Sequence, residues 1–205
     1  MKNSNTIPLE EGYSLVKTTR KIVTEFLKNG TRIKLGDKFQ DKFSFNSGVF
    51  VTLNDRDGLR GCIGFPLPDK KLYKALEDAA IAAATEDPRF LPVRSEELES
   101  ITFEVTVLTP PQKIEVKEYQ EYLSKIKVGQ DGLIVKYGYN SGLLLPQVPV
   151  EYHWDVREFL EHTCQKAGLP KDYWMKPEIE IKKFEGIVFK ELSPNGEIIQ
   201  EKLLD

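Results

Sequence analysis

The sequence predicts an α+β fold, two-layered and built mainly on antiparallel sheet, with two ββαβ-like repeats and an extra N-terminal helix. Three observations carry that expectation. Short apolar runs come in pairs across polar turns. Each pair is followed by an amphipathic helix and then by another alternating run, so that strand, strand, helix, strand occurs twice with little residue identity between the copies. Short hairpins with helices on one side are the pattern of a layered antiparallel sheet rather than of a parallel, doubly wound one.

Leu15, Thr19, Ile22, Val23 and Phe26 recur at helical spacing between Glu11 and Lys28, and Asn29-Gly30 supplies a left-handed stop. A polar loop follows through Asp41. Gly48 to Leu53 reads as a strand, Asn54 to Gly58 as a hairpin turn and Leu59 to Gly64 as the return strand. Pro66 and Pro68 break that strand, and Asp69 is the expected cap of a helix marked by Leu72, Leu76, Ala79, Ala80 and Ala83. The helix stops at Asp87-Pro88. Ile101, Phe103, Val105 and Val107 then alternate with Thr102, Glu104 and Thr106 in a half-buried strand that ends at Pro110-Pro111. In the second repeat, Gly132 to Tyr137 and Gly142 to Leu145 flank a turn at Tyr139-Asn140-Ser141. A helix from Asp155 to Ala167 ends at Gly168, and a strand from Glu178 to Lys182 resumes at Ile187.

At 205 residues the chain is long enough to bury a sizeable core, as one domain or as subdomains of about 11–125 and 126–192 sharing an interface. A net charge of −3 lacks the broad basic footprint of a nucleic-acid binder. The stretch from Lys17 to Lys42 is locally basic and reads as a solvated face. Met1 to Leu9 is polar and no run of ~18 apolar residues occurs, so the expectation is a cytoplasmic protein without a membrane partner. The two cysteines, Cys62 and Cys164, lack CxxC spacing, and neither they nor the two histidines stand at metal-ligand spacing. The expectation is no metal and no disulfide framework. GxGxxG, Walker and GxSxG patterns are absent, and the sequence identifies no cofactor.

Leu59-Arg60-Gly61-Cys62-Ile63-Gly64 is the segment richest in chemistry. On a strand, alternation places Arg60, Cys62 and Gly64 on one face, so that the guanidinium can favour the Cys62 thiolate, while Gly61 and Gly64 leave room for a ligand. The alternative reading is a small residue buried in a crowded strand. A second segment, Pro146 to Trp154, holds Gln147 as an oxyanion donor, Glu151 as a general base or its orienter, and Trp154 as a ligand wall or core residue. His153 suits proton transfer, or else a solvent-exposed or capping role. Arg89 either pairs an anionic ligand or ties its loop to Glu86 or Glu104. His162 and Cys164 read as structural residues on the polar and apolar faces of their helix.

These segments, together with Asp87-Pro88-Arg89-Phe90, Val105 to Pro110, Gly129 with Asp131-Gly132, Leu145-Pro146-Gln147-Val148, Glu151, Trp154 and Lys166-Ala167-Gly168-Leu169, resemble the AMMECR domain family, most closely its archaeal members. The resemblance covers the chain from about Glu11 to Leu192. It implies a single domain of that type over 1–205 with two ββαβ-like repeats, and a family without a settled biochemical function. It supports Glu151 and Trp154 but not His153, where relatives carry other residues. By family analogy it links the chain to Memo-type and radical S-adenosylmethionine proteins.

The leading functional expectation is a cleft between the two halves in which Cys62, activated by Arg60, binds or transforms a small substrate. Glu151 assists there, Arg89 or Gln147 orients the substrate, and Gly61, Gly64 and Trp154 line it. The rival is a non-catalytic protein- or RNA-binding module in which the cysteine strand is structural. Whether the chain is an enzyme, and which molecule or protein it meets, stays open at the level of sequence.

Overall fold

The computed structural model describes residues 7–201. Part of the polar N-terminal stretch discussed above, residues 1–6, lies outside them. In chain order the helices and strands are α1 (Leu9–Asn29), α2 (Asp37–Lys42), β1 (Val49–Asp55), β2 (Gly58–Phe65), α3 (Leu72–Thr85) and β3 (Thr102–Leu108). There follow β4 (Gln112–Lys113), α4 (Tyr122–Lys125), β5 (Asp131–Tyr137), β6 (Asn140–Leu144), α5 (Gln147–Glu151), α6 (Val156–Lys166), β7 (Glu180–Glu191) and β8 (Ile198–Glu201). They form two compact units, one of residues 7–108 with 187–201 and one of residues 109–186.

In the first unit, α1 buries Leu15, Val16, Thr19, Ile22 and Val23, the stripe its spacing predicts. Gly30 closes it at φ 66°, donating its N–H to the Phe26 carbonyl. The loop read as purely polar contains α2, too short for a periodic signal, with Phe39 and Phe43 packed ring to ring. Asp69 does not cap α3; that helix begins after Lys71, which makes no side-chain cap. β1 pairs antiparallel with β2 on one side and with β3 on the other, and the order continues through the second half of β7, which also pairs with β8. Val49, Val51, Leu53, Phe103, Val105 and Val107 belong to one core with the buried residues of α1 and α3. Phe50, Thr52, Asn54, Thr102, Glu104 and Thr106 alternate with them and are half-buried on the face turned away from those helices.

Arg20 of α1 is committed to this unit's interior. Its guanidinium donates to Glu191 (Nε–Oε1 2.8 Å) and to the carbonyls of Leu98 and Ile101, and it lies over the Phe103 ring. Glu191 in turn accepts from the Phe103 N–H. Arg32 is likewise paired, with Asp78 and Glu77. The basic stretch is therefore in part structural.

The second unit repeats the strand order. β5 lies between β6 and the first half of β7, antiparallel to both, as β1 lies between β2 and β3. α6 packs on β5 and β6 as α3 packs on β1 and β2. Asp155 caps α6 through a reciprocal pair with Glu158, and the helix buries Phe159, Leu160, Thr163 and Cys164. These meet Leu133, Val135, Trp174 and Ile181 in a second core. The mixed, antiparallel α+β architecture with two ββαβ repeats agrees with the sequence reading. The final strand differs from it: β7 runs unbroken through Gly186, and β8 is an addition the alternation did not reveal. Among the described residues no helix is long and apolar enough to cross a membrane.

Candidate functional site

Cys62 lies on β2, the end strand of the first unit's sheet, and is neither exposed nor sealed. Its cross-strand partner on β1 is Thr52, whose partner on β3 is Glu104. The Thr52 Oγ donates to the Cys62 Sγ at 3.4 Å, and the same hydroxyl acts on the neighbouring Glu104 carboxyl, favouring its ionised form. Beyond Glu104, Lys190 on β7 pairs with Glu201 on β8 at 2.5 Å, and both charges act on Glu104. Cys62, Thr52, Glu104, Lys190 and Glu201 thus cross five adjoining strands on the face opposite the helices.

Electrostatics follow from partial burial of this row. Burial pushes the Cys62 thiol up; the Thr52 hydrogen bond and the Arg89 charge pull the other way, and Glu104 and Asp87 add to the rise. Burial also raises the Glu104 carboxyl, with Glu201 reinforcing the shift and Lys190 and Thr52 opposing it. The resting thiol is therefore held protonated rather than primed as a thiolate.

The expected priming of Cys62 by Arg60 is corrected by the strand register. Leu53 pairs with Gly61 and Asn54 with Leu59, leaving Arg60 as an extra residue, a β-bulge. The bulge breaks the alternation that would have kept Arg60 beside Cys62. Its guanidinium instead binds Glu97 (2.9 Å) and the carbonyl oxygens of Leu91 (2.9 Å) and Pro92 (3.5 Å).

Arg89 is the cation near the sulfur. It pairs with Asp87 at 2.7 Å, rather than with Glu86 or Glu104, and its Nη2 reaches the Cys62 carbonyl at 3.4 Å. Asp87 also accepts the Cys62 N–H at 2.8 Å. An end strand leaves such backbone groups without a neighbouring strand, and here two side chains take that place. The Arg89 hydrogen bonds hold the Asp87 carboxyl well below the usual carboxylate range against its burial. Asp87 is 3% exposed and Arg89 53%, so the pair buries its anion and presents its cation.

Neither glycine of the motif keeps space for a ligand. A Cβ on Gly61 would stand 2.2 Å from the Ala83 carbonyl oxygen of α3, and one on Gly64 would enter the Phe50 ring. Both are needed for close packing.

In the second unit, Gln147 and Glu151 open and close α5 and are both exposed. Trp154 is stacked on His162 (centroids 3.8 Å apart, 9° between planes) and on Tyr152 (5.0 Å, 18°). Its indole packs, partly buried, against the second unit's core. His153 is exposed with φ 55°, and Cys164 is fully buried with its thiol pushed up to about 11 by that burial. Sequence reasoning passed over Thr52, Lys190 and Glu201 and treated Glu104 as the polar half of an alternation and as a candidate tie for Arg89. The alternating Thr102-Phe103-Glu104 was the available signal.

A family model described as AMMECR1 matches residues 16–189. The chain is 50% identical over 201 residues to Protein MJ0810 of Methanocaldococcus jannaschii, covering 97% of this chain and 98% of the relative. It is 50% identical over 202 residues to Protein MK0488 of Methanopyrus kandleri, 97% of each. The crystal structure of the uncharacterized protein PH0010 from Pyrococcus horikoshii superposes with a TM-score of 0.80 at 47% identity, covering 94% of this chain and 97% of that one.

Proposed function

The chain belongs to the AMMECR1 family, and within it we propose a small-molecule site on the helix-free face of the first unit's sheet, with Cys62 as its reacting group. One observation carries the proposal: the Cys62 sulfur accepts a hydrogen bond from the Thr52 hydroxyl, and the half-buried Glu104 carboxyl is the cross-strand neighbour of Thr52. Structural cysteines are small hydrophobes in apolar surroundings, as Cys164 is. Thr52 and Glu104 offer hydrogen bonds to a polar ligand, and the half-exposed Arg89 offers positive charge at the sheet edge. Arg60 has no part in this proposal, being occupied by Glu97. A cytoplasmic setting fits a protein whose two cysteines both stand free.

Alkylation with iodoacetamide under native conditions, read by intact mass and peptide mapping, tests the proposal. Cys62 is expected to be modified while Cys164 stays intact until denaturant is added. Folded protein in which Cys62 resists as completely as Cys164 would refute a reacting role.

A further inference from the structure

Thr52 stands between two titratable groups, the cross-strand partner of Cys62 on one side and of Glu104 on the other. Its oxygen lies 3.4 Å from the sulfur, and the hydroxyl acts on the carboxyl beside it, favouring the ionised form. A hydroxyl has one hydrogen and two lone pairs, so it donates to one neighbour while accepting from the other. We propose that Thr52 relays the Cys62 proton to Glu104, making Glu104 the base that uncovers the thiolate. The inference rests on Cys62 being the site's reacting group and adds the residue that takes its proton.

The step balances within the row. The S–H bond of Cys62 breaks as its proton passes to the Thr52 oxygen, and the original Thr52 proton passes to a Glu104 carboxylate oxygen. The products are a thiolate that accepts from Thr52 and a neutral carboxylic acid; one negative charge is present before and after. That conservation matters in a half-buried place, where creating a second charge is costly. Around the sulfur, Arg89 favours the thiolate while Asp87 and Glu104 oppose it. Around the carboxyl, Glu201 favours the protonated form and Lys190 the ionised one. With the proton on Glu104, the charge rests on the Arg89 side of the row.

Two groups that share a proton titrate as a pair, so the pH dependence of Cys62 alkylation by iodoacetamide tests the relay. From about pH 4 to about pH 10, the native protein is expected to show two steps: a plateau of slow alkylation once the pair has lost one proton, then a further rise. Glu104→Gln keeps the shape and removes the base. It should abolish the plateau and give one step, at lower pH than the upper native step because the opposing charge is gone. Thr52→Ser should keep both steps, whereas Thr52→Val should lower the plateau rate about tenfold, the worth of one hydrogen bond to a charged group. A single step in the native protein, coincident with that of Glu104→Gln, would overturn the relay while leaving Cys62 reactive. A Cys62 that is never alkylated while the protein is folded would overturn the relay and the site together.

Discussion

Asp87 accepts hydrogen bonds from the Cys62 N–H, the Arg89 N–H and two nitrogens of the Arg89 guanidinium. Replacing it by asparagine keeps an acceptor for Cys62 but turns an NH₂ group toward the arginine or removes the charge that held it. Because the carboxylate is buried and its partner half in water, the expected cost is about 2–3 kcal/mol. The sign with pH follows from the depressed carboxyl. Its stabilisation is complete above the unfolded value of about 3.9 and is lost as pH falls through the lower folded value. Urea unfolding should show Asp87→Asn less stable than the native protein at neutral pH, with the deficit shrinking in strong acid. An equal deficit at both pH values would separate the carboxylate's charge from the edge it holds.

At the scale of elements, β2 is defined as much by what it lacks as by what it carries. Gly61 lets α3 approach until the Ala83 carbonyl occupies the place of a side chain. Gly61→Ala is expected to cost about 3 kcal/mol, the upper end for overpacking, since the obstructing atom is backbone. The midpoint of urea unfolding checks this; an unchanged midpoint would mean that α3 is not seated on β2. The same strand marks the limit of what could be read without coordinates. Its hairpin with β1, the following helix and the alternation of β3 all follow from local residue patterns, and they hold. The bulge at Arg60 does not, because one extra residue depends on pairing with Leu53 and Asn54 across the hairpin. Alternation alone put Arg60 beside Cys62; the register puts it on Glu97 and leaves the sulfur to Arg89.

For the molecule as a whole, the duplicated order of strands was legible because each repeat is written locally, strand by strand and cap by cap. The polar row was not, since its members come from positions 52, 62, 104, 190 and 201 and meet only through sheet order. β7 shows the same limit. The sequence reading interrupts the strand between Lys182 and Ile187, yet the strand is continuous there and gives residues to both units. A site assembled from five strands leaves no spaced motif, only a thiol, a hydroxyl and a carboxyl at unrelated points in the chain. Within it, Cys62 and Glu104 are proposed to behave as one proton-sharing pair. Carboxyl-carbon NMR of labelled protein, with the Glu104 signal assigned by its absence in Glu104→Gln, measures this directly across pH. Glu104 is expected to show a midpoint above the usual value of about 4.3 and a second inflection where Cys62 ionises, absent in Cys62→Ala. A single transition at the usual value, unmoved by Cys62→Ala, would contradict that pairing.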